Sequence, residues 1–219
     1  MRPLLLFISI CFFDSCISQR NSQTYIPKQY QYPEDSILNG RTFVYQNIRT
    51  SEENYTDFRL KTVGNKKYLI SVQYLPNKTE DSVITLNDKT EEIYSFSFGD
   101  GKPLKGLVVQ DTIINNETKL GKRIKRTIFK ANDYTSDNVS ELEYLKDTTF
   151  TWQERKIDCI VLKVTSTTQL ISYSSDSSRQ ALASYHNLYY GRNIGLLKYT
   201  TSFNNEHYEF VLKKIKDIK

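Results

Sequence analysis

From Arg41 onward the chain alternates apolar and polar residues in short runs, and turn-forming residues separate these runs. A period of two places every second side chain on one face, as in a half-buried β-strand. Short runs joined by turns that contain Gly, Asn or Asp are typical of hairpins. The predicted strands are residues 41–48, 56–63, 67–75, 82–86, 91–98, 104–114, 122–131, 141–145, 150–153, 156–166, 168–174, 194–203 and 207–215.

This series of strands predicts an all-β fold. An antiparallel sheet of roughly 10–12 strands must curl or close, so we expect a strongly curved sheet or half-barrel with at most a short helix. The 16 tyrosines and 11 phenylalanines support this fold, because aromatic side chains suit pleated, half-buried surfaces. One stretch interrupts the alternation, since Leu182, Tyr185 and Tyr189 follow a helical spacing. We therefore predict a short helix or turn over residues 177–184 and a strand after it.

The first sixteen residues predict export across a membrane. Met1-Arg2 forms a short basic region, and residues 4–13 (LLLFISICFF) form an apolar stretch with the length of a secretory signal. A helix that spans a bilayer needs about 20 apolar residues, so this stretch is too short to be one. No later segment approaches that length.

The cysteine behind the apolar stretch leaves two ways of processing open. Residues 13–16 (FDSC) resemble a lipobox, in which the cysteine is acylated, although Phe13 and Asp14 depart from the usual pattern. Ordinary signal peptidase would instead cut before Gln19, because Cys16 and Ser18 provide the small residues that it requires.

The polar segment after Cys16 favours acylation, because a lipid-anchored domain needs a tether. This segment is rich in Gln, Ser and Pro and lacks apolar periodicity. The predicted organisation is a lipoprotein signal peptide (1–16), a flexible polar tether (17–38) and a single antiparallel β domain (39–219). It predicts a protein of the cell envelope, anchored by lipid on Cys16. The alternative is a soluble secreted or periplasmic protein.

The charge pattern gives one candidate contact surface. The chain has 30 Lys and Arg against 25 Asp and Glu, an excess too small to indicate nucleic acid as a partner. Basic residues concentrate in KLGKRIKRTIFK, where Lys122, Arg123, Lys125 and Arg126 would contact an anionic headgroup or polysaccharide. The alternative is a hairpin edge that lysines guard against aggregation.

Few residues have the spacing of a catalytic or metal site. His186 and His207 are the only histidines, and neither lies in an HxH or HExxH pattern. Glu141 and Glu143 would share one face of a strand, which is more often a solvated face than an acid–base pair. Cys159 has no histidine near it in sequence, which favours a packed thiol over a nucleophile. No hydrolase or nucleotide-binding signature occurs, so we expect no cofactor, no metal and a non-enzymatic protein.

The C-terminal run YYGRNIGLLKYTTSFNNEHYEFVLKKI (189–215) resembles the closing hairpin of small envelope lipoproteins. The residues that carry this pattern are Gly191, Gly195, Leu196, Lys198, Tyr199, Tyr208 and Val211. With the preceding run KIDCIVLKVTS, the chain is similar to the curved half-barrel proteins of the LolA/LolB lipoprotein-localisation group and to small lipoproteins of the Bacteroidetes. The resemblance implies a strongly bent sheet whose concave, apolar face holds an acyl chain or covers a helix.

Three hypotheses of function follow. The first is a tethered, non-enzymatic envelope protein whose curved sheet binds a lipid-like or other apolar ligand, or a partner protein. The second is a structural or interaction module of the cell surface that pairs with partners through exposed strand edges. The third is an unrecognised hydrolase, which would gather one of the two histidines with carboxylates in a concave site.

Overall fold

A computed structural model describes residues 25–33, 37, 39–63, 66–74, 80–86, 91–95, 104–114, 119–132, 134–173, 179–203 and 206–218. Besides a single 3-10 turn, Lys28–Tyr30, it contains twelve strands. They are β1 Arg41–Asn47, β2 Glu53–Val63, β3 Lys66–Tyr74, β4 Glu80–Leu86, β5 Glu91–Ser95, β6 Leu104–Ile114, β7 Lys122–Lys130, β8 Tyr134–Trp152, β9 Arg155–Ser172, β10 Arg179–Gly191, β11 Gly195–Phe203 and β12 Glu206–Asp217. Within these described residues, no helix is long and apolar enough to cross a membrane.

The strands form one antiparallel sheet that closes on itself. Each strand pairs with the next one along the chain, and β1 also pairs with β12 over its whole length, so the hydrogen-bonded order is that of a closed barrel. The predicted all-β fold with one strongly curved antiparallel sheet is confirmed, and the twelve strands lie within the expected number. Closure follows from the physical need to pair the edges of so large a sheet.

The barrel is weakest between β5 and β6. Within the described residues, these two strands pair only at Ile93–Gly106, Tyr94–Lys105 and Ser95–Leu104. Among the described strands, β6 beyond Gly106 pairs with β7 alone, across a bulge between Val108 and Gln110. We call this part of β6, residues 107–114, the seam. Its apolar side chains Leu107, Val109 and Ile114 are exposed.

The region around residue 180 differs from the prediction. Residues 179–184 belong to β10 and pair with β9 from Arg179–Ile171 onward, so a helix there is wrong, while residues 177 and 178 lie outside the described part. The burial pattern of β10 explains the error. Every second side chain is buried, at Ser184, His186, Leu188 and Tyr190. Because Ser184 and His186 are polar, the sequence does not show this alternation of buried and exposed positions.

The N-terminal segment, defined here as residues 25–33, packs against one end of the barrel. Its side chains Tyr25, Ile26, Tyr30 and Tyr32 are buried. The interpretation of residues 17–38 as a flexible tether is therefore wrong for this part, and residues 17–24 lie outside the described residues. The buried positions are irregularly spaced because the segment is neither helix nor strand over most of its length, so no periodicity marks them in the sequence.

Candidate functional site in the barrel interior

The half of the interior next to the N-terminal segment is apolar and filled by its own side chains. The Tyr32 ring lies 4.7 Å, centroid to centroid, from both Phe43 and Phe58. The Tyr32 and Tyr45 hydroxyl groups form a hydrogen bond of 2.9 Å, and the Tyr45 hydroxyl donates to the carbonyl of Leu196 at 2.9 Å. The Tyr32 and Tyr45 hydroxyl groups thus both have partners, which is what burial of a phenol requires.

Two hydrogen bonds to backbone carbonyl groups show which end of the barrel the N-terminal segment covers. The Tyr25 hydroxyl donates to the carbonyl of Gly121, just before β7, at 2.7 Å. The Asn193 amide, in the turn between β10 and β11, donates to the carbonyl of Gln29 at 2.7 Å. The segment therefore lies at the end where β7 begins and β10 ends.

The interior also carries a row of polar side chains. Asp111, Lys125, Ser140, Ser166 and Ser184 stand directly opposite one another on β6, β7, β8, β9 and β10. Directly opposite residues of an antiparallel sheet share a face, so all five project inward. We call them the polar row. In β7 to β10 its members are buried, which makes this layer of the core polar rather than apolar.

Hydrogen bonds tie the polar row to the next layer. The Ser140 hydroxyl bonds the Ser166 hydroxyl at 3.0 Å and the Asn138 side-chain oxygen at 2.9 Å. The Asn138 amide donates to the Thr168 hydroxyl at 2.9 Å. These groups are neutral and act as both donors and acceptors, so the layer suits a neutral polar molecule better than an acyl chain.

Three interior hydroxyl groups have no hydrogen-bond partner in the described part of the protein. They belong to Ser71 on β3, Ser136 on β8 and Thr201 on β11. Ser136 and Thr201 are 0% and 1% exposed, and Ser71 is buried as well. Buried polar atoms are hydrogen-bonded in the great majority of cases, so these three groups are exceptions.

The two histidines lie on opposite faces of the sheet. His186 stands opposite Thr201 in the interior, and its Nε2 lies 3.0 Å from the Ser184 hydroxyl. Burial lowers the pKa of His186 to about 3, so its imidazole is neutral at physiological pH. His207 is exposed, and its Nδ1 lies 2.5 Å from the Ser202 hydroxyl.

The arrangement does not provide the site that the hydrolase hypothesis requires. The two histidines do not converge, and no cluster of three or more His, Cys, Asp and Glu side chains suits a metal ion among the residues described. Glu141, from the carboxylate pair in the sequence, forms an ion pair with Lys122 on the outer face of the barrel.

The four basic residues of the expected anionic contact divide between two faces of β7. Lys122 and Arg126 lie on the outer face, where Arg126 forms a bidentate ion pair with Asp137 at 2.9 and 2.5 Å. Arg123 and Lys125 project into the barrel. Lys125 is only 6% exposed, so the interpretation of Lys125 as a surface contact is wrong. Contact of the other three with an anionic surface stays a prediction.

The alternative explanation of the basic segment is also wrong. β7 is not a sheet edge, because it pairs with β6 and β8 along its length. Its inward cations instead meet a carboxylate at the seam. Arg123 donates to Asp111 through two hydrogen bonds of 2.8 and 2.6 Å. The Asp111 side chain is 37% exposed although it faces inward, so solvent reaches the interior at the seam.

Of the two cysteines discussed above, the structure describes only Cys159. Cys16, the predicted lipid attachment site, lies outside the described residues. Cys159 is buried, as expected for a packed thiol. Burial raises the pKa of the Cys159 thiol to about 11, which keeps it protonated and unreactive at physiological pH.

Sequence reasoning missed the polar row, although a signal was present. Asn138 and Ser140, Ser166 and Thr168, and Ser184 and His186 each occupy alternate positions of a strand. That period of two assigns them to one face but does not say which face is inside. Outward-facing polar residues give the same pattern, and only the register distinguishes the two cases.

Comparisons with known proteins leave function open. No protein-family model matches the chain, and no curated protein matches it. One similar solved structure is a predicted lipoprotein from Parabacteroides distasonis, with 14% identity and a TM-score of 0.47 over 84% of this chain and 97% of that one. Another is a predicted exported protein with a YmcC-like fold from Bacteroides fragilis, with 12% identity and a TM-score of 0.46 over 84% of this chain and 98% of that one. Both come from Bacteroidetes, neither is described as a LolA/LolB protein, and similarity this low carries no conclusion about function.

Proposed function

We propose that the chain is an exported protein of the cell envelope, anchored by a lipid on Cys16, that binds a ligand inside its barrel without catalysing a reaction. The observation that carries this proposal is the division of the interior. The region around Tyr32 is apolar and filled, whereas the strands β6 to β10 present the polar row. A protein built only as a scaffold gains nothing from a polar layer, which costs stability unless it is fully satisfied.

The N-terminal segment also orients the barrel on the membrane. Because residues 25–33 are packed, only residues 17–24 remain between the barrel and an acylated Cys16. Eight extended residues span at most about 29 Å, so the end that the N-terminal segment covers stays close to the bilayer. On β6 and β7 the polar row lies near this end, since Asp111 and Lys125 are three residues from Ile114 and Lys122.

The original hypothesis of an apolar ligand finds less support than a polar one. The apolar half is occupied by aromatic rings at van der Waals contact, including Tyr32 between Phe43 and Phe58. An acyl chain would have to displace the N-terminal segment. It would also offer no partner to the buried hydroxyl groups of Ser71, Ser136 and Thr201, and a buried hydroxyl without a partner costs roughly 1–3 kcal/mol.

Fractionation of the native host tests the anchor. The wild-type protein should partition with membranes, and Cys16→Ser should appear in the soluble periplasmic or culture fraction. Cys11→Ser, which changes the apolar stretch but not the candidate lipid site, is the matched control and should stay with membranes. The anchor is refuted if Cys16→Ser and wild type distribute alike.

A second candidate function is pairing of an extended partner segment with the seam, where β7 is the single neighbour of β6 among the described strands. Strand addition to an exposed edge is a common mode of recognition. Replacing Val109 by Pro should abolish capture of an envelope partner in a membrane pull-down, while Val139→Thr on the internal strand β8 should not. Equal capture by both variants would exclude this role.

A further inference from the structure

We infer that one rim of the covered end rests on the lipid bilayer and inserts two apolar side chains at the level of the headgroups. We call this surface the anchor rim, and it consists of Ile114, Lys119, Lys122, Tyr144 and Leu145. The inference rests on the lipid anchor proposed above and adds to it a second, non-covalent contact with the membrane.

The N-terminal segment shows which part of the barrel lies nearest to the anchor. Tyr25 is its first residue, and the Tyr25 hydroxyl donates to the carbonyl of Gly121 at 2.7 Å. Gly121 comes directly before Lys122, the first residue of β7. The chain that leads from Cys16 to Tyr25 therefore meets the barrel beside the start of β7.

Two exposed apolar side chains lie on either side of this point. Ile114 is the last residue of β6 and pairs with Lys122. Lys122 pairs in turn with Glu143 on β8, two residues before Leu145. Ile114 and Leu145 are 45% and 47% exposed. A single exposed apolar side chain is normal on a protein surface, but these two flank the strand at which the anchored chain arrives.

The polar members of the anchor rim suit a membrane interface. The Lys119 ammonium donates to Asp147 at 3.0 and 3.2 Å, and its Nζ lies 5.8 Å from the centre of the Tyr144 ring. Tyrosine and lysine combine an apolar body with a polar tip, so both favour the boundary between headgroups and acyl chains. Lys122 forms an ion pair with Glu141. Because carboxylates accompany both lysines, we expect apolar burial to contribute more than attraction to anionic lipids.

The covalent anchor makes a weak contact sufficient. Only residues 17–24 separate the packed segment from Cys16, and a short linker holds its two ends at an effective concentration in the millimolar range. Burial of apolar surface is then the main favourable contribution that the anchor rim adds. Loss of one of its two apolar side chains should lower the ratio of docked to undocked barrels about five- to tenfold.

Fluorescence of the acylated, full-length mature protein in phosphatidylcholine vesicles tests the inference. Leu145→Cys carries the environment-sensitive fluorophore NBD, and spin-labelled lipids quench this fluorophore if it enters the bilayer. The label attaches to the new thiol alone, because Cys16 is acylated and Cys159 is buried. Phosphatidylcholine has no net charge, so quenching in these vesicles reports apolar contact.

The matched control is the same label on Leu107→Cys. Leu107 is also an exposed leucine, at 62%, and it lies on β6 like Ile114. It pairs with Ile128, six residues along β7 from Lys122, and is therefore about 20 Å from the anchor rim.

We expect the emission of the Leu145 label to shift to shorter wavelength in vesicles and to be quenched by the spin-labelled lipids. The Leu107 label should show neither effect. A label on Ile114→Cys should also be quenched, and adding Leu145→Ser should reduce this quenching because it removes half of the apolar contact. Adding Leu107→Ser instead should leave the quenching of the Ile114 label unchanged.

The outcomes separate this inference from the proposed anchor. Acylated protein whose Leu145 and Leu107 labels are quenched equally, or not at all, would overturn the inference and leave the anchor standing. An intact mass without acyl groups would overturn both. A shift of the Leu145 label that grows with protein concentration in the absence of vesicles would assign the anchor rim to a second copy of the chain, which also overturns the inference.

Discussion

Lowering the pH from 7 to 5 should destabilise the wild-type barrel by about 2 kcal/mol more than it destabilises a His186→Gln variant. Burial lowers the pKa of His186 from 6.5 to about 3. In the unfolded chain the histidine binds a proton once the pH falls below about 6.5, whereas the folded protein does not bind it until about pH 3. Between these values the unfolded state holds more protons, so stability falls with decreasing pH by about 1.4 kcal/mol per unit.

Urea unfolding at several pH values measures this effect. The fluorescence of Trp152, the sole tryptophan, reports unfolding because its indole N–H donates to the carbonyl of Leu212 on β12 at 2.6 Å. All other titrating groups are common to both proteins, so the difference between wild type and His186→Gln isolates one imidazole. The matched control is His207→Gln, which removes an exposed ring. Parallel curves for wild type and His186→Gln would refute the burial of a neutral imidazole.

Three further predictions concern the N-terminal segment and the core. Gly195→Ala should lower the free energy of unfolding by at least about 2 kcal/mol, because the φ of Gly195 is +93° and a Cβ would lie 2.4 Å from the Tyr32 ring. Thermal melting should show a smaller loss for the control Gly40→Ala, whose Cβ would meet no atom closer than 3.7 Å. In urea unfolding, Tyr32→Ala should lower the free energy of unfolding by about 3–5 kcal/mol and Tyr32→Phe by about 1 kcal/mol, because only the first removes the ring. Equal losses would mean that the N-terminal segment is not packed against the barrel. The Cys159 thiol, with its pKa raised to about 11, should resist a disulfide reagent at pH 8 until urea unfolds the barrel, and rapid labelling of the folded protein would contradict its burial.

The strands could be predicted from the sequence because their signal is local. Period-two alternation identified most of them, yet it divided two long ones. β8 covers the predicted strand 141–145 and residues 150–152 of the next, and β9 covers 156–166 and residues 168–172 of the next. The divisions fell where polar residues interrupt the alternation, and a strand continues through such positions when both neighbours supply its hydrogen bonds.

The site could not be predicted because it depends on register between distant strands. Lys125 looks like a surface residue in a run of cations, and only its pairing with Ser140 places it inside. The same limit applies to the N-terminal segment, because the Tyr32 ring packs against Phe43 and Phe58, which are distant in sequence. The local pattern thus predicts the strands, whereas which side chains face the barrel interior depends on how distant strands pair.

The intact mass of the mature protein, purified from membranes of its native host, tests the central claim most directly. The account predicts a chain that begins at Cys16 and carries covalently bound acyl groups on that residue. An unmodified chain that begins at Gln19 would contradict it, because the barrel would then have no lipid to hold its covered end against the bilayer.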